Sequence, residues 1–133
     1  MTLPATIALM VDETNDSNPV EHDLARDNDV NRTSLYYDED HTVASRNQLN
    51  FKSVLPKTSG NFYGTLRTNC KFSKDIVVAG VNGENIKVPL IGEASFSLPV
   101  GVTPAEVMIL RQKIVALLDD DTIMVPHQTQ GQI

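Results

Sequence analysis

Between Phe62 and Ser73 the chain alternates with period two. Phe62, Leu66, Cys70 and Phe72 share one parity, and Tyr63, Thr65, Arg67, Asn69, Lys71 and Ser73 share the other. Successive side chains of a strand point to opposite faces, so this pattern predicts a strand with one buried and one wet face. Gln48 to Leu55 repeats it: Leu49, Phe51 and Leu55 alternate with Gln48, Asn50 and Lys52. Pro56 to Asn61, with Pro, Ser, Gly and Asn, reads as the turn joining the two. Ile86 to Leu98 supplies a third strand, with Ala94, Phe96 and Leu98 inward and Glu93, Ser95 and Ser97 outward. Between the second and third strands, Asn82-Gly83 has the residues favoured in a type I′ hairpin turn, so Ile76 to Val88 is a projecting hairpin or a flexible loop.

The two ends differ. Thr6 to Val11 is an apolar, partly β-branched run that reads as a strand. Asp12 to Asn31 is rich in Asp, Asn and Ser and reads as turns or a long surface loop. Thr33 to Tyr37 then makes a loose N-terminal hairpin with the first strand, and Asp38 to Ser45 is polar again. The C-terminal part is helical. Thr103-Pro104-Ala105-Glu106 is a capping box with proline at the first helical position. Val107, Leu110, Ile114 and Leu117 fall on one helical stripe, widened by Met108, Val115 and Leu118. Asp119 to Asp121 interrupts the stripe and offers an N-cap for a second short helix over Thr122 to Val125. Strands followed by helices predict an α+β protein. The helical stripe needs an apolar surface to cover, and the apolar sheet face is the candidate.

The 133 residues suit a single domain over 1–133, and 41% of them are apolar. A core of that size is modest, and help from a partner chain would not be surprising. No run approaches the roughly 20 apolar residues of a membrane span, and no membrane partner is expected. No Lys or Arg precedes the apolar run at the N-terminus and acids begin at Asp12, so no signal peptide is expected. The single cysteine, Cys70, excludes an intrachain disulfide framework.

The net charge of −6 argues against generic nucleic-acid binding, but its distribution argues for a local site. Residues 1–45 carry ten acids against Arg26 and Arg32. Residues 46–75 carry Arg46, Lys52, Lys57, Arg67, Lys71 and Lys74 against Asp75 alone. A basic block between acidic flanks points to a localised polyanion surface, or to a solvated face.

Catalysis has little support. His22, His41 and His127 each lie in a polar loop or tail, and there is no nucleophile elbow, phosphate loop or His-Glu-x-x-His. Asp27, Asp29, Asn31 and Asp38 have part of the spacing of a calcium loop, but Arg32 stands where that loop needs glycine. No resident cofactor is expected; calcium held between subunits by clustered carboxylates is the one cation reading. The wet sheet face is richer. Asn50, Lys52, Tyr63, Thr65, Arg67, Asn69 and Lys71 combine amides, hydroxyls, cations and a ring, as on surfaces that bind unpaired bases and phosphates. An ordinary solvated sheet face has the same pattern.

Residues 46–125 resemble the coat proteins of small single-stranded RNA bacteriophages, the levivirus type. Asn47 to Pro56, a polar turn and Tyr63 to Phe72 resemble their central hairpin. Gly92 to Leu98 resembles their last strand, and Thr103-Pro104-Ala105-Glu106 through Ala116-Leu117-Leu118 resembles their first helix. The resemblance implies an N-terminal hairpin, a five-stranded antiparallel sheet and two helices. It further implies interlocked homodimers, each subunit laying its helices over the partner's sheet, and an icosahedral shell built from those dimers. It implies a non-enzymatic role, with viral genomic RNA and a phage maturation protein as partners. The location implied is the virion, assembled in the bacterial cytoplasm, and RNA hairpin binding would repress replicase translation. By position, Asn50, Lys52, Tyr63, Thr65, Arg67 and Asn69 fall where such proteins contact RNA. Ile91 stands where some place a base-stacking tyrosine, and Glu93 where they place Asp or Asn. A different RNA hairpin, or non-specific binding, is implied. The rival readings are a dimeric RNA-binding module without a shell and a surface β domain whose acidic loops hold calcium.

Overall fold

The structure, a computed structural model, describes residues 3–131. Six strands form one antiparallel sheet in chain order: β1 (Thr6–Val11), β2 (Val20–Val30), β3 (Thr33–Asp38), β4 (Asn47–Val54), β5 (Thr65–Ala79) and β6 (Asn85–Pro99). Two helices follow, α1 (Pro104–Leu118) and α2 (Asp121–Gln130). The α+β class and the order of elements are as expected. The expected hairpin plus five-stranded sheet is instead one continuous six-stranded meander.

The largest departure is β2. Much of Asp12 to Asn31, expected as loop, is a strand paired to β1 on one side and β3 on the other. Asp, Asn and Glu disfavour strands, but cross-strand pairing on both edges overrides that preference. The pairing ends in a two-residue turn, Asn31-Arg32, with φ of 52° and 61°. Two successive left-handed residues between paired Val30 and Thr33 define a type I′ hairpin, a conformation Asn tolerates well. The calcium-like spacing from Asp27 to Asp38 therefore runs along a tight hairpin, not around a ligand loop. Asn82-Gly83 makes a different turn. Gly83 alone is left-handed (φ 85°), its N–H donates to Gly80 O, and the Gly80 N–H donates to Glu84 O. That is a three-residue loop closed by a glycine bulge. It caps a two-stranded ribbon in which β5 and β6 stay paired from Asp75/Pro89 to Ala79/Asn85.

The core lies on one face, near β2 to β4. Leu24, Tyr36 and Leu49 are buried, with Ile7, Leu9, Phe51 and Cys70 packed around them. The Tyr36 ring meets Phe51 edge-on (82°, centroids 5.7 Å apart), and its hydroxyl donates to Pro4 O, which satisfies the one polar atom of a buried tyrosine. Farther along the same face the apolar side chains stay open. Phe72 is 46% exposed. Phe51, Cys70, Thr68 and Phe96 line an open groove of about 560 Å³.

The helices do not close that groove. The capping box forms as read: the Glu106 N–H donates to Thr103 Oγ1 (3.3 Å) and the Thr103 N–H donates to Glu106 Oε2 (3.0 Å). α2 is longer than expected; it is capped by Asp120, carries Pro126 within it and stops at left-handed Gly131. The two helices pack on each other. Neither contains a buried residue, and Met108, Leu110, Val115, Leu117 and Leu118 are all exposed. An apolar sheet face and an apolar helix pair thus sit side by side in one chain without meeting.

Candidate nucleic-acid interface

The wet face of the sheet is ordered by strand register, because directly paired residues share a face. Leu35, Asn50, Lys71 and Glu93 form one row across β3 to β6. Thr33, Lys52, Asn69 and Ser95 form the next, and Val54, Arg67 and Ser97 the one after. Thr65 closes the face opposite Pro99, and Ile91 lies at its other end opposite Ser73. Eight of the nine expected residues therefore share one surface. Ile91 is 51% exposed and presents an aliphatic side chain there.

Tyr63 is the exception. β5 begins at Thr65, so Tyr63 lies in the preceding loop, 70% exposed, and has no place in the strand's alternation. The break is Gly64, whose φ is 97°. A Cβ there would come within 2.5 Å of the Lys57 carbonyl oxygen, so only glycine fits.

The face is concave and cationic. A hollow of about 620 Å³ is lined by Asn50, Lys52, Arg67, Asn69, Lys71 and Glu93, among others. Among the described residues Lys52, Arg67 and Lys71 make no ion pair or hydrogen bond. Asn69 is held in place: its Nδ2 donates to Ser95 Oγ (2.8 Å) and to Glu93 Oε2 (3.3 Å). Three unneutralised cations beside amide and hydroxyl groups can bind phosphates and hydrogen-bond base edges. Thr33, Ser95 and Ser97 also belong to this surface; the period-two reading of β6 had placed both serines on the wet side without tying them to the cations.

Arg46, from the same basic block, is used differently. Its guanidinium forks onto Asp75 (3.1 and 3.3 Å), the Arg46 N–H donates to Asp75 Oδ2 (3.0 Å), and the Asp75 N–H donates to Arg46 O (2.8 Å). Hydrogen bonds from Arg46 hold the Asp75 carboxyl below its ordinary range. This clamp sits where the β5–β6 ribbon leaves the sheet.

The acidic segment lies at the other edge. His22 is in β2, not in a loop, and links the β1–β2 connection to β3: Nε2 meets Glu13 Oε1 and Nδ1 meets Asp38 Oδ2 (3.2 Å). The Glu13 carboxylate, aided by Asp38, raises the imidazole above its usual value. Asn15, in the same connection, donates to Asp121 at the start of α2. Among the described residues no group of three His, Cys, Asp or Glu side chains is arranged to hold a metal ion.

A second pair of rings escaped the sequence reading. Tyr37 pairs with Gln48, so it sits on the wet face one row beyond Asn50. The His41 ring stacks on it, 5° from parallel with centroids 3.8 Å apart. His41 Nδ1 accepts the Asn47 N–H (3.0 Å). The parity of Thr33 to Tyr37 was a signal for Tyr37; nothing in the sequence brings His41 back over it.

No family model matches the sequence, and no curated protein matches it. Solved structures do. The chain is similar to the virus-like particle of bacteriophage AVE019, at 18% identity, covering 97% of this chain and 96% of that one, with a TM-score of 0.76. It is similar to the virus-like particle of Beihai levi-like virus 21, at 18% identity over 99% and 98% of the two chains, TM-score 0.74. A third, the virus-like particle of Beihai levi-like virus 32, shares 21% identity over 84% and 88%, TM-score 0.71. The chain has the fold of levi-like bacteriophage coat proteins.

Proposed function

We propose that this chain is the coat protein of a small RNA bacteriophage: a structural subunit that dimerises, builds a virion shell and binds genomic RNA on its wet sheet face. The observation that carries the reading is the unpaired apolar surface. A sheet face and a helix pair, both apolar, fail to meet within one chain that otherwise matches virus-like-particle subunits over nearly its whole length. Two copies related by a two-fold axis resolve this, each laying α1 and α2 over the other's open groove. The dimer leaves both wet faces on one side, where Lys52, Arg67 and Lys71 of each copy form a single cationic floor. A shell with that floor inward places the cations against packaged RNA and the acidic β1–β2 hairpin away from them. Repression of replicase translation would follow if one RNA hairpin occupies the floor specifically. A phage maturation protein is a further partner of this reading, as is assembly in the bacterial cytoplasm.

Titration of labelled phage-type RNA hairpins into dissociated protein tests the RNA part. Lys71→Ala and Arg67→Ala should each weaken binding and lower the slope of log affinity against log salt by about one. Binding that is unaffected by both changes would remove the wet face from the account.

A further inference from the structure

We infer that Tyr37 and His41 form a stacking platform for an unpaired RNA base, at the end of the wet face beside the cationic rows. The inference rests on the RNA reading above and adds a base site to its phosphate sites.

Position is the first reason. Tyr37 shares the face of Asn50 and Lys52 and lies one row beyond Leu35, Asn50, Lys71 and Glu93. Rows two residues apart on a strand are roughly 7 Å apart. An RNA strand whose phosphates sit at Lys52 and Lys71 therefore brings a neighbouring nucleotide to the rings.

Preorganisation is the second. The two rings are already parallel, and the Asn47 N–H fixes His41 by donating to Nδ1. An accepting Nδ1 makes the imidazole neutral with its proton on Nε2. The platform is then a flat, uncharged surface with one donor at its rim. Both rings stay part-exposed, whereas the adjacent Tyr36 is fully buried on the opposite face. The stack therefore lies outside the core.

Charge is the third. Asp27 interacts with the Tyr37 hydroxyl, and burial together with that carboxylate raises the phenol above its ordinary value. Asp40 accepts from Asn47 Nδ2. Carboxylates around the rings repel phosphate, while Lys52 on the adjacent β4 and Lys71 on β5 attract it. That separation fits one nucleotide lying with its base on Tyr37 and His41 and its backbone on β4 and β5. Stacking of this kind tolerates any base, since each has a π face.

The test measures binding of a short fluorescein-labelled oligoadenylate to the full chain by anisotropy across a salt series. Tyr37→Leu and His41→Ala should each weaken binding roughly 5- to 100-fold with the salt slope unchanged. Tyr37→Phe keeps the ring and should bind as the parent does. Lys71→Ala should instead lower the slope by about one. If the ring variants stay within about twofold of the parent while Lys71→Ala weakens binding, the platform is wrong and the RNA reading stands. If the parent protein binds no RNA, both fall. Should a ring variant fail to fold by circular dichroism, photocross-linking of 5-iodouridine RNA to the unaltered protein decides. Adducts mapped to Tyr37 or His41 support the platform, and adducts confined to other residues overturn it.

Discussion

Phe72→Ala distinguishes a chain that stands alone from one completed by a second copy. Phe72 lies on the apolar face between Leu49 and Gly92, and Gly92 places no side chain beside it. In the single chain the ring is 46% exposed. If nothing covers it, truncation loses about half of a phenylalanine's transfer free energy, on the order of 1 kcal/mol, and opens no cavity. If a partner's helix seats on the face, truncation loses the whole term and leaves a void, about 3–5 kcal/mol per chain. The difference, about 2–4 kcal/mol, corresponds to roughly 30- to 900-fold in the equilibrium constant. Urea unfolding followed by circular dichroism, at several protein concentrations, reads both quantities. The account predicts the larger loss and a midpoint that rises with concentration, as for any folded dimer. A loss near 1 kcal/mol with a midpoint independent of concentration would refute the reasoning.

Other consequences follow from the polar contacts. His22 has a raised folded-state pKa, so its link to Glu13 and Asp38 is fully present below the unfolded value of 6.5 while those carboxylates are ionised, and is lost as pH rises through the folded value. Its NMR titration midpoint should lie above 6.5 and move back toward it in Glu13→Gln. Asp75 has the opposite sign: its pKa is lowered, so its contribution is present above 3.8 and disappears as pH falls through the folded value. Asp75→Asn should loosen the base of the β5–β6 ribbon, seen as faster amide exchange at Ile76 and Val88, whereas a silent exchange profile would deny the clamp its role. Thr103→Ala removes an acceptor at the start of α1 and should cost about 1 kcal/mol in thermal or urea unfolding.

The parts of this fold legible in the sequence are those where one physical rule acts alone. The alternation of β4, β5 and β6 follows from one wet and one apolar face, and the α1 cap is written in Thr103 and Glu106. β2 was illegible because its strand state is imposed by neighbours on both sides, against the preferences of Glu21, Asp23 and Asp27. At Asn82-Gly83 the projecting hairpin, one of its two expected readings, forms with a glycine bulge in place of a type I′ turn. Asn82-Gly83 has the better type I′ composition, yet the register places that turn at Asn31-Arg32. Tyr63 shows the limit of periodicity: the sequence alternates through Gly64, where the extended backbone does not continue. Of the eight candidate residues that share a face, parity assigns seven to it, and Ile91 enters only through the family resemblance. His41 was not recoverable, since a loop return is set by contacts such as the Asn47 N–H bond, which no spacing encodes.

The most direct test of the central claim is the particle size of protein expressed in bacteria. Size-exclusion chromatography and negative-stain microscopy, with the absorbance ratio at 260 and 280 nm, give size and cargo together. The account predicts closed icosahedral shells that carry nucleic acid. A discrete dimer free of nucleic acid, unchanged across salt and calcium concentrations, would contradict it and leave only the fold.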